Sequence, residues 1–240
     1  MQTELKMLNQ YITESEYIVF FGGAGVSTES GIPDFRSKDG LYSQKYKYPP
    51  ETILSRDFFN SNSSEFYEFY RNKMLFLTAQ PNAAHLKLAE LEKCGKLKAV
   101  ITQNIDGLHQ AAGSRNVLEL HGSVHRNFCV HCSASYDTSS VIESSDIPRC
   151  KCGCIIKPDV VLFGETLDED VISQAVRHIA SADMLIIGGT SLGVYPAAGL
   201  IDYYKANKLV LINKSETSVD SRADLVIYGS IGEVLSGVMM

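Results

Sequence analysis

An uninterrupted apolar run, Tyr17-Ile18-Val19-Phe20-Phe21, leads directly into the glycine-rich segment Gly22-Gly23-Ala24-Gly25. A short apolar run without polar alternation predicts a strand that is buried on both faces, as in a parallel sheet. The glycines allow the backbone to approach a phosphate closely, and a helix that follows them would present its free N–H groups. This feature predicts a mononucleotide-binding fold. The spacing departs from G-x-G-x-x-G because Thr28 stands at the third glycine position, so a tight turn without a ligand is the alternative.

Further apolar runs of similar length follow along the chain. They span residues 97–102, 159–163, 184–189 and 208–212, with a shorter run at 225–227. A helix is predicted over residues 83–94, where Asn82 stands at the N-cap and Gly95 at the usual C-terminal glycine position. A second helix is predicted over residues 168–182 from its apolar spacing. Strands that alternate with helices predict an α/β fold with a Rossmann-like parallel sheet covered on both faces.

The composition fits this fold class. Of the 240 residues, 45% are hydrophobic and 21% are charged, as expected of a globular chain with one sizeable core. The formal net charge of −6 gives no electrostatic reason to expect nucleic-acid binding. No stretch approaches the about 20 apolar residues of a membrane span, and residues 1–16 lack the apolar core of a signal peptide. We therefore expect a cytoplasmic protein whose cysteines are thiols or metal ligands rather than disulfides.

Polar residues stand where the predicted strands end. The segment Gly188-Gly189-Thr190-Ser191 adds hydroxyl groups to a second glycine-rich edge, and Gln103-Asn104-Ile105-Asp106 follows the run at 97–102. Two glycine-rich edges at one crevice suit a dinucleotide at the point where the strand order of a parallel sheet reverses. After the run at 208–212 comes Asn213, so a ribose contact there would be an amide hydrogen bond. Ordinary loop polarity is the alternative explanation for the segment at 103–106.

One histidine is a candidate general base. His121 ends the apolar alternation Leu118-Glu119-Leu120 and comes just before the cysteine-rich segment. An imidazole with an ordinary pKa of about 6.5 can accept a proton near neutral pH. A hydrogen-bonded core histidine explains the same pattern equally well.

Cysteines form two close pairs. Cys129 and Cys132 are separated by 17 residues from Cys150 and Cys152. This spacing is typical of structural zinc ribbons, in which four thiolates close a tetrahedron and leave no position for an activated water. Cys154 and His131 are competing ligands, and disulfides or unbound thiols are the alternative to zinc.

Taken together, the motifs resemble those of a known family. The chain carries, in order, the glycine-rich turn with Ser27, Gly31-Ile32-Pro33-Asp34-Phe35-Arg36, Gln103-Asn104-Ile105-Asp106, His121-Gly122, the cysteine pairs, Phe163-Gly164-Glu165 and Gly189-Thr190-Ser191-Leu192. The set closely resembles the bacterial-type sirtuins, NAD-dependent protein lysine deacylases. The resemblance implies a Rossmann-like NAD-binding domain over residues 1–35, 81–123 and 158–240. A small lobe would comprise a helical insertion at 36–80 and a zinc ribbon at 124–157.

The resemblance also implies NAD as co-substrate, one structural Zn²⁺ and an acyl-lysine protein or peptide in the cleft between the lobes. NAD contacts are implied for Gly23, Ala24, Gly25, Ser27, Asp34, Phe35, Arg36, Gln103, Asn104, Ile105, Asp106, Gly189, Thr190, Ser191, Asn213 and Ile231. The catalytic residues would be His121 as general base, with Asn104 and Asp106. The substrate backbone would add as a strand between segments that contain Val161, Phe163, Gly164 and Val194.

The helical insertion bears on the acyl group. Sirtuins that prefer succinyl or malonyl lysine carry a Tyr-x-x-Arg pair there, whereas here Tyr70 stands three residues after Tyr67 and Arg71 is out of phase. We therefore expect neutral acyl groups to be favoured, with deacylated lysine, nicotinamide and O-acetyl-ADP-ribose as products. An NAD-dependent protein mono-ADP-ribosyltransferase and a catalytically idle scaffold are the alternatives. The oligomeric state is open, with a monomer expected.

Overall fold

The structure, a computed structural model, describes residues 2–239 and contains two sheets. The helices are α1 (Gln2–Glu14), α2 (Pro50–Ile53), α3 (Arg56–Ser61), α4 (Ser63–Lys73), α5 (Ala83–Lys93), α6 (Leu108–Ala111), α7 (Ser139–Ile142), α8 (Glu169–Ser181) and α9 (Ile231–Ser236). The strands are β1 (Ile18–Gly22), β2 (Leu97–Thr102), β3 (Val117–Glu119), β4 (Gly122–Cys129), β5 (Ser135–Tyr136), β6 (Ile156–Val160), β7 (Met184–Gly188), β8 (Leu209–Asn213) and β9 (Leu225–Tyr228). Within residues 2–239, no helix combines the length and the apolar character needed to cross a membrane.

The large sheet has six strands, all parallel, in the order β3-β2-β1-β7-β8-β9. This is the order of doubly wound dinucleotide-binding sheets, and it reverses between β1 and β7. These two strands pair in register from Ile18 opposite Met184 to Gly22 opposite Gly188. Both glycine-rich segments therefore leave the sheet side by side at the switch point. The predicted Rossmann-like fold is confirmed.

Each central strand contributes to two cores, because successive side chains point to opposite faces of a sheet. In β1, Ile18 and Phe20 belong to the core covered by α1, α5 and α9. Val19 and Phe21 belong to the core on the opposite face, which α8 covers. All four side chains are fully buried, which explains why this strand is apolar without alternation.

Both predicted helices are present, and the caps predicted for α5 are confirmed. The Asn82 side chain accepts the Ala84 N–H at the start of α5 (2.9 Å), and Gly95 follows the helix with a φ of +76°. The Asp168 carboxylate accepts the N–H groups of Asp170 (2.9 Å) and Val171 (3.0 Å) at the start of α8. These carboxylate and amide acceptors satisfy N–H groups that lack a partner within the helix.

The smaller sheet is antiparallel, in the order β5-β4-β6. Its Val124 and Val160 pack in one core with aromatic residues of α3 and α4, including Phe59 and Phe66. The prediction that residues 159–163 form a strand of the parallel sheet is therefore wrong. Residues 156–160 pair with β4, and the segment that follows leaves the sheet. An apolar run indicates that its residues are buried, but it does not indicate to which sheet they belong, because both sheets bury such residues equally well.

Two histidines are buried side by side at the edge of the large core. His85 and His109 are at most 1% exposed, and their ring centroids are 4.7 Å apart. His85 Nδ1 accepts the Asn82 N–H (3.2 Å), whereas neither ring nitrogen of His109 has a hydrogen-bond partner among residues 2–239. Burial lowers the pKa of His85, and burial with the neighbouring His85 lowers the pKa of His109 to about 3.

This pair predicts a loss of stability in mild acid. Unfolding returns each histidine to a pKa of about 6.5, so below that pH the unfolded chain binds more protons than the folded chain. We expect the free energy of unfolding to fall by up to about 1.4 kcal/mol per pH unit for each histidine between pH 6.5 and the folded pKa. Urea unfolding from pH 7.5 to 5 measures this slope. His109→Leu removes one titrating group and should flatten it; an unchanged slope would contradict the prediction.

Candidate active site and zinc centre

The loops that follow β1 and β7 touch through their backbones at the switch point. The Gly25 N–H donates to the Gly189 carbonyl (2.8 Å). A Cβ at Gly25 would lie 2.8 Å from Gly189 Cα, and one at Gly23 would lie 2.8 Å from Thr190 Cβ. Any larger residue would push the two loops apart. Backbone rather than side chains therefore forms this floor of the crevice, as the close approach of a phosphate requires.

The segment after Gly23 differs from the expected strand–turn–helix. It forms two short 3₁₀ turns, Ala24–Val26 and Thr28–Ser30, rather than an α-helix. Gly31 ends the second turn in a left-handed conformation with a φ of +83°, and Pro33 follows two residues later. A proline restricts the residue before it to extended conformations, so a helix cannot continue here. Phosphate contacts at this edge would depend on the turn backbone and the Ser27 hydroxyl rather than on a helix dipole.

Ser27, Asn104 and Asp106 form a hydrogen-bonded network between the loops after β1 and β2. The Ser27 hydroxyl donates to Asp106 Oδ2 (2.6 Å) and accepts from Asn104 Nδ2 (3.0 Å). Ser27 is 1% exposed and Asn104 is 9% exposed. The second carboxylate oxygen of Asp106 accepts the Leu108 N–H (2.9 Å). The network therefore holds the orientation of all three predicted site residues.

A second set of hydrogen bonds joins the loops after β2, β7 and β8. Gln103 Nε2 donates to Thr190 Oγ1 (3.1 Å), which also accepts the Leu192 N–H (3.1 Å). Asn213 Nδ2 donates to the Thr190 carbonyl (2.7 Å). Asn213 thus positions the Thr190 loop, and its contact with a ribose stays a prediction.

His121 lies at the seam between the two sheets. Its Nδ1 is 2.9 Å from the Gln103 carbonyl oxygen, and its own carbonyl accepts the Val161 N–H (3.0 Å). Because a carbonyl oxygen only accepts hydrogen bonds, we assign the proton of the neutral ring to Nδ1, which leaves the lone pair on Nε2. Burial lowers the pKa of His121, and the hydrogen bond to Gln103 opposes this shift in part. The ring is therefore suited to accept a proton through Nε2.

The predicted substrate edge is a β-turn that follows β6. The Glu165 N–H donates to the Leu162 carbonyl (2.9 Å), and Gly164 has a φ of +88°, as a type II turn requires at its third residue. The turn leaves the Phe163 side chain 42% exposed. Both backbone polar groups of Phe163 are occupied, because its N–H donates to Leu54 and its carbonyl accepts from Arg56 (2.9 Å each). Of the other predicted substrate contacts, Val161 and Val194 are half-buried and Gly164 is exposed.

The remaining predicted NAD contacts lie in two different settings. Asp34 and Phe35 lead into an exposed loop, from which Arg36 Nη1 reaches Ser191 Oγ on the facing loop (3.4 Å). Ile231 lies at the start of α9, is 3% exposed and packs against the backbone at Gly188. A contact between Ile231 and an adenine ring therefore stays a prediction.

The sequence reasoning missed two residues that support the site. Thr102 Oγ1 accepts the Asn104 N–H (3.0 Å) and thereby shapes the loop that carries Asn104. Its position as the last residue of an apolar strand was the available signal. Lys157 bonds Glu165 (3.0 Å) next to the substrate edge, and no spacing in the sequence indicates this pair.

Four cysteines converge at the end of the small sheet. The Sγ atoms of Cys129, Cys132, Cys150 and Cys152 all lie within 4.8 Å of one another. The separations are 3.5 Å for Cys129–Cys152 and 3.5 Å for Cys132–Cys150. Four thiolates about 2.3 Å from a zinc ion are about 3.8 Å apart at the edges of the tetrahedron, so the donor set fits Zn²⁺. A bound zinc ion would cross-link β4 to the loop before β6. It would take no part in the chemistry on the substrate.

The cluster selects among the ligands that the spacing left open. Cys154 and His131 lie outside it. The Cys154 carbonyl instead accepts the Cys150 N–H (2.8 Å), which closes a tight loop with Gly153 in a left-handed conformation. The Cys152 N–H and the Tyr136 hydroxyl lower the pKa of the Cys150 thiol to about 6, which favours the thiolate form that metals bind.

Comparison with known proteins agrees with this geometry. A Rossmann-like sheet with two glycine-rich strand ends defines the class as dinucleotide-binding proteins. The Sir2 family model matches residues 23–196. The NAD-dependent protein deacetylase of Clostridium acetobutylicum is 60% identical over 98% of each chain, and that of Clostridium perfringens is 57% identical over the full length of both. The chain belongs to the Sir2 family, and its resemblance to the sirtuins is confirmed.

Solved structures give the same result. A complex of Sir2 with a p53 peptide and NAD⁺ is 42% identical with a TM-score of 0.87, covering 96% of this chain and 95% of that one. A Sir2 variant with deacetylated p53 peptide and 3′-O-acetyl-ADP-ribose is 43% identical with a TM-score of 0.91, covering 98% and 97%.

The cysteine geometry predicts which thiol completes the zinc site. Cys152→Ser should abolish stoichiometric zinc binding, because it removes one of four converging ligands. The matched variant Cys154→Ser should retain about one zinc per chain, since its side chain lies outside the cluster. Metal content of the purified variants, measured by mass spectrometry, tests both. Loss of zinc from Cys154→Ser with retention in Cys152→Ser would reverse the assignment.

Proposed function

We propose that this chain is an NAD-dependent protein deacylase that transfers the acyl group of acyl-lysine side chains to ADP-ribose. Nicotinamide and O-acetyl-ADP-ribose are released, and neutral acyl groups are favoured over succinyl. Membership of the Sir2 family and the identity to NAD-dependent protein deacetylases support the reaction class. The observation that carries the proposal is the hydrogen bond between His121 Nδ1 and the Gln103 carbonyl, because it presents a buried imidazole lone pair at the end of the nucleotide crevice.

The residues of the chain provide a base and a positioned polar wall. NAD, when bound, supplies the ribose that accepts the acyl group. His121 Nε2 would take a proton from a ribose hydroxyl, and its lowered pKa keeps the imidazole unprotonated at neutral pH. Asn104 and Asp106 would orient the ribose, since Ser27 holds both side chains in place. Glycine backbone at the two strand ends would hold the phosphates.

The peptide backbone would add as a strand beside the turn that carries Phe163 and Gly164. Both backbone polar groups of Phe163 are paired, with Leu54 and Arg56, whereas among residues 2–239 no hydrogen bond occupies the backbone N–H or carbonyl of Gly164. The exposed Phe163 ring and half-buried Val194 would flank the acyl-lysine side chain on its way to His121. Related Sir2 structures are complexes with p53 peptides, which supports a peptide or protein substrate.

The small-lobe core favours neutral acyl groups. Tyr70 is fully buried there, and its hydroxyl has no hydrogen-bond partner among residues 2–239. Arg71 is committed elsewhere: its Nε donates to the Val141 carbonyl (2.9 Å), and its guanidinium also bonds the Asp146 carbonyl. A carboxylate buried among these aromatic residues would lack a cation, and burial of an unpaired charge is costly. An acetyl group avoids that cost.

Three further proposals accompany this function. The chain would act in the cytoplasm, where reduced thiols are available for zinc, and as a monomer. The helical insertion at 36–80 and the ribbon at 124–157 would form one lobe. The shared core of α3, α4, β4 and β6 supports this division.

A single experiment tests the reaction and the acyl preference. Peptides of identical sequence with acetyl-lysine or succinyl-lysine are incubated with the protein, with and without NAD, and peptide and nucleotide are followed by mass spectrometry. We expect NAD-dependent loss of acetyl with an equal amount of O-acetyl-ADP-ribose. We expect kcat/KM for the succinyl peptide to be at least about tenfold lower, because its carboxylate would be desolvated without a partner.

Other outcomes decide between the alternatives. Nicotinamide release with an ADP-ribosylated peptide would identify a transferase. Efficient desuccinylation with weak deacetylation would overturn the acyl preference. No turnover of acetyl or longer neutral acyl peptides would leave the scaffold interpretation.

The proposed base makes a second prediction. His121→Tyr should lower kcat/KM for deacetylation by at least about 10², the usual contribution of a general base. In the unaltered protein, kcat/KM should fall in acid with an apparent pKa below about 6.5, because burial disfavours the protonated imidazole. His178→Gln, on the half-buried imidazole that bonds Tyr17 (3.0 Å), is the matched control. An acid limb that survives in His121→Tyr would assign the base to another group.

A further inference from the structure

The substrate turn is held by a small set of polar bonds that lie outside the predicted site. Glu165 Oε2 accepts the Leu162 N–H (2.8 Å) and bonds Lys157 Nζ (3.0 Å). The same ammonium group donates to the Val160 carbonyl (2.9 Å). Lys157 therefore links Val160, which lies just before the turn, to Glu165, the last residue of the turn.

The Lys157–Glu165 pair is shielded from solvent. The two side chains are only 22% and 23% exposed, so their attraction is screened less than that of a surface ion pair. The carboxylate also accepts a backbone N–H, and bonds that include an ionised partner are shorter and stronger than neutral ones. The pair therefore adds to the buried Leu162 side chain and to the backbone bonds of Phe163 in selecting one conformation of the turn.

The turn has a conformation that depends on such support. Gly164 has a φ of +88°, and the Phe163 ring is 42% exposed. An exposed ring gains little from packing, so the direction of Phe163 depends on its backbone bonds to Leu54 and Arg56, on the buried neighbour Leu162 and on the Lys157–Glu165 pair.

Lys157 itself stands on a rigid element. It follows Ile156, which is 2% exposed and pairs across the sheet with Cys129 of the cysteine cluster. The Ile156 carbonyl accepts the Tyr67 hydroxyl from α4. Strand β6 therefore contacts both the cysteine cluster and the helical insertion. Lys157 connects this strand to the turn through its bond to Glu165.

We propose that Lys157 is a positioning residue for the acyl-lysine peptide: through Glu165 it holds the Leu162–Glu165 turn so that Phe163 and Gly164 face the substrate backbone. The inference rests on the proposed function, because Phe163 and Gly164 are taken there as the peptide-binding edge. It predicts a selective effect. The nucleotide contacts at Ser27, Asn104 and Thr190 belong to the large sheet and share no bond with Lys157 among those described.

The test compares Lys157→Met, which keeps the length of the side chain without its charge, with Lys157→Arg. Binding of an acetyl-lysine peptide and of ADP-ribose is measured by calorimetry, next to the KM values for peptide and NAD. Lys157→Met should raise the peptide Kd by about tenfold and leave the ADP-ribose Kd within about twofold. Lys157→Arg should restore the peptide Kd to within about threefold, since a guanidinium can bond both the carboxylate and the carbonyl.

Arg222→Met is the matched control. It breaks an exposed ion pair with Asp202 (2.6 Å), which is far from Lys157 in the sequence, and it should change neither Kd. An unchanged peptide Kd in Lys157→Met would overturn the inference. A parallel loss of peptide and ADP-ribose binding would also overturn it, since that pattern indicates a general loss of structure. Failure of the unaltered protein to consume NAD with an acetyl peptide would instead reject the proposed function, and direct peptide binding keeps the two results separate.

Discussion

The contact between the backbones of Gly25 and Gly189 is the constraint on which the site depends. The two loops leave adjacent parallel strands, and at 2.8 Å from N–H to carbonyl they leave no space for a Cβ. If they separated, Thr190 would move away from Gln103, and Gln103 carries the carbonyl that orients His121. A steric condition at the switch point of the sheet thus reaches the proposed base through two hydrogen-bonded residues, Thr190 and Gln103.

His121 and the chain that follows β6 connect the two parts of the molecule. The His121 ring bonds the loop after β2, while its carbonyl accepts the Val161 N–H from the segment beyond the small sheet. That same segment runs from the cysteine cluster through Lys157 to the turn at Gly164. The cysteine cluster takes no part in the proposed chemistry, but it lies next to the strand from which the proposed substrate edge extends. This arrangement explains why the segment around the cysteines, whose own buried cluster is limited to Cys129, Cys150 and Ile156, would need a metal.

Local sequence patterns were sufficient to predict those elements that are determined by residues nearby in the chain. Residues close together in the sequence predict several elements correctly: strand β1 with its glycines, the helices α5 and α8, and the two cysteine pairs. One prediction failed because the decisive partner is remote: Val160 and Leu162 are buried in the core that contains α3 and α4 rather than in the large sheet. The other failed for a local reason, because Gly31 reverses the backbone and Pro33 follows, so the segment after Gly23 does not continue as a helix. Hydrophobicity alone distinguishes neither case.

The sequence by itself determined the class of fold, the order of the site residues along the chain and the supply of thiols, because these follow from periodicity, glycine placement and residue chemistry. Tertiary structure decided which atoms meet. The lone pair of His121 is on Nε2 because Gln103 presents a carbonyl to Nδ1. Cys152 rather than Cys154 belongs to the cysteine cluster. Lys157 reaches Glu165 across a turn. Each of these contacts depends on how the chain folds back on itself, and side-chain direction at that range is not encoded in any local spacing.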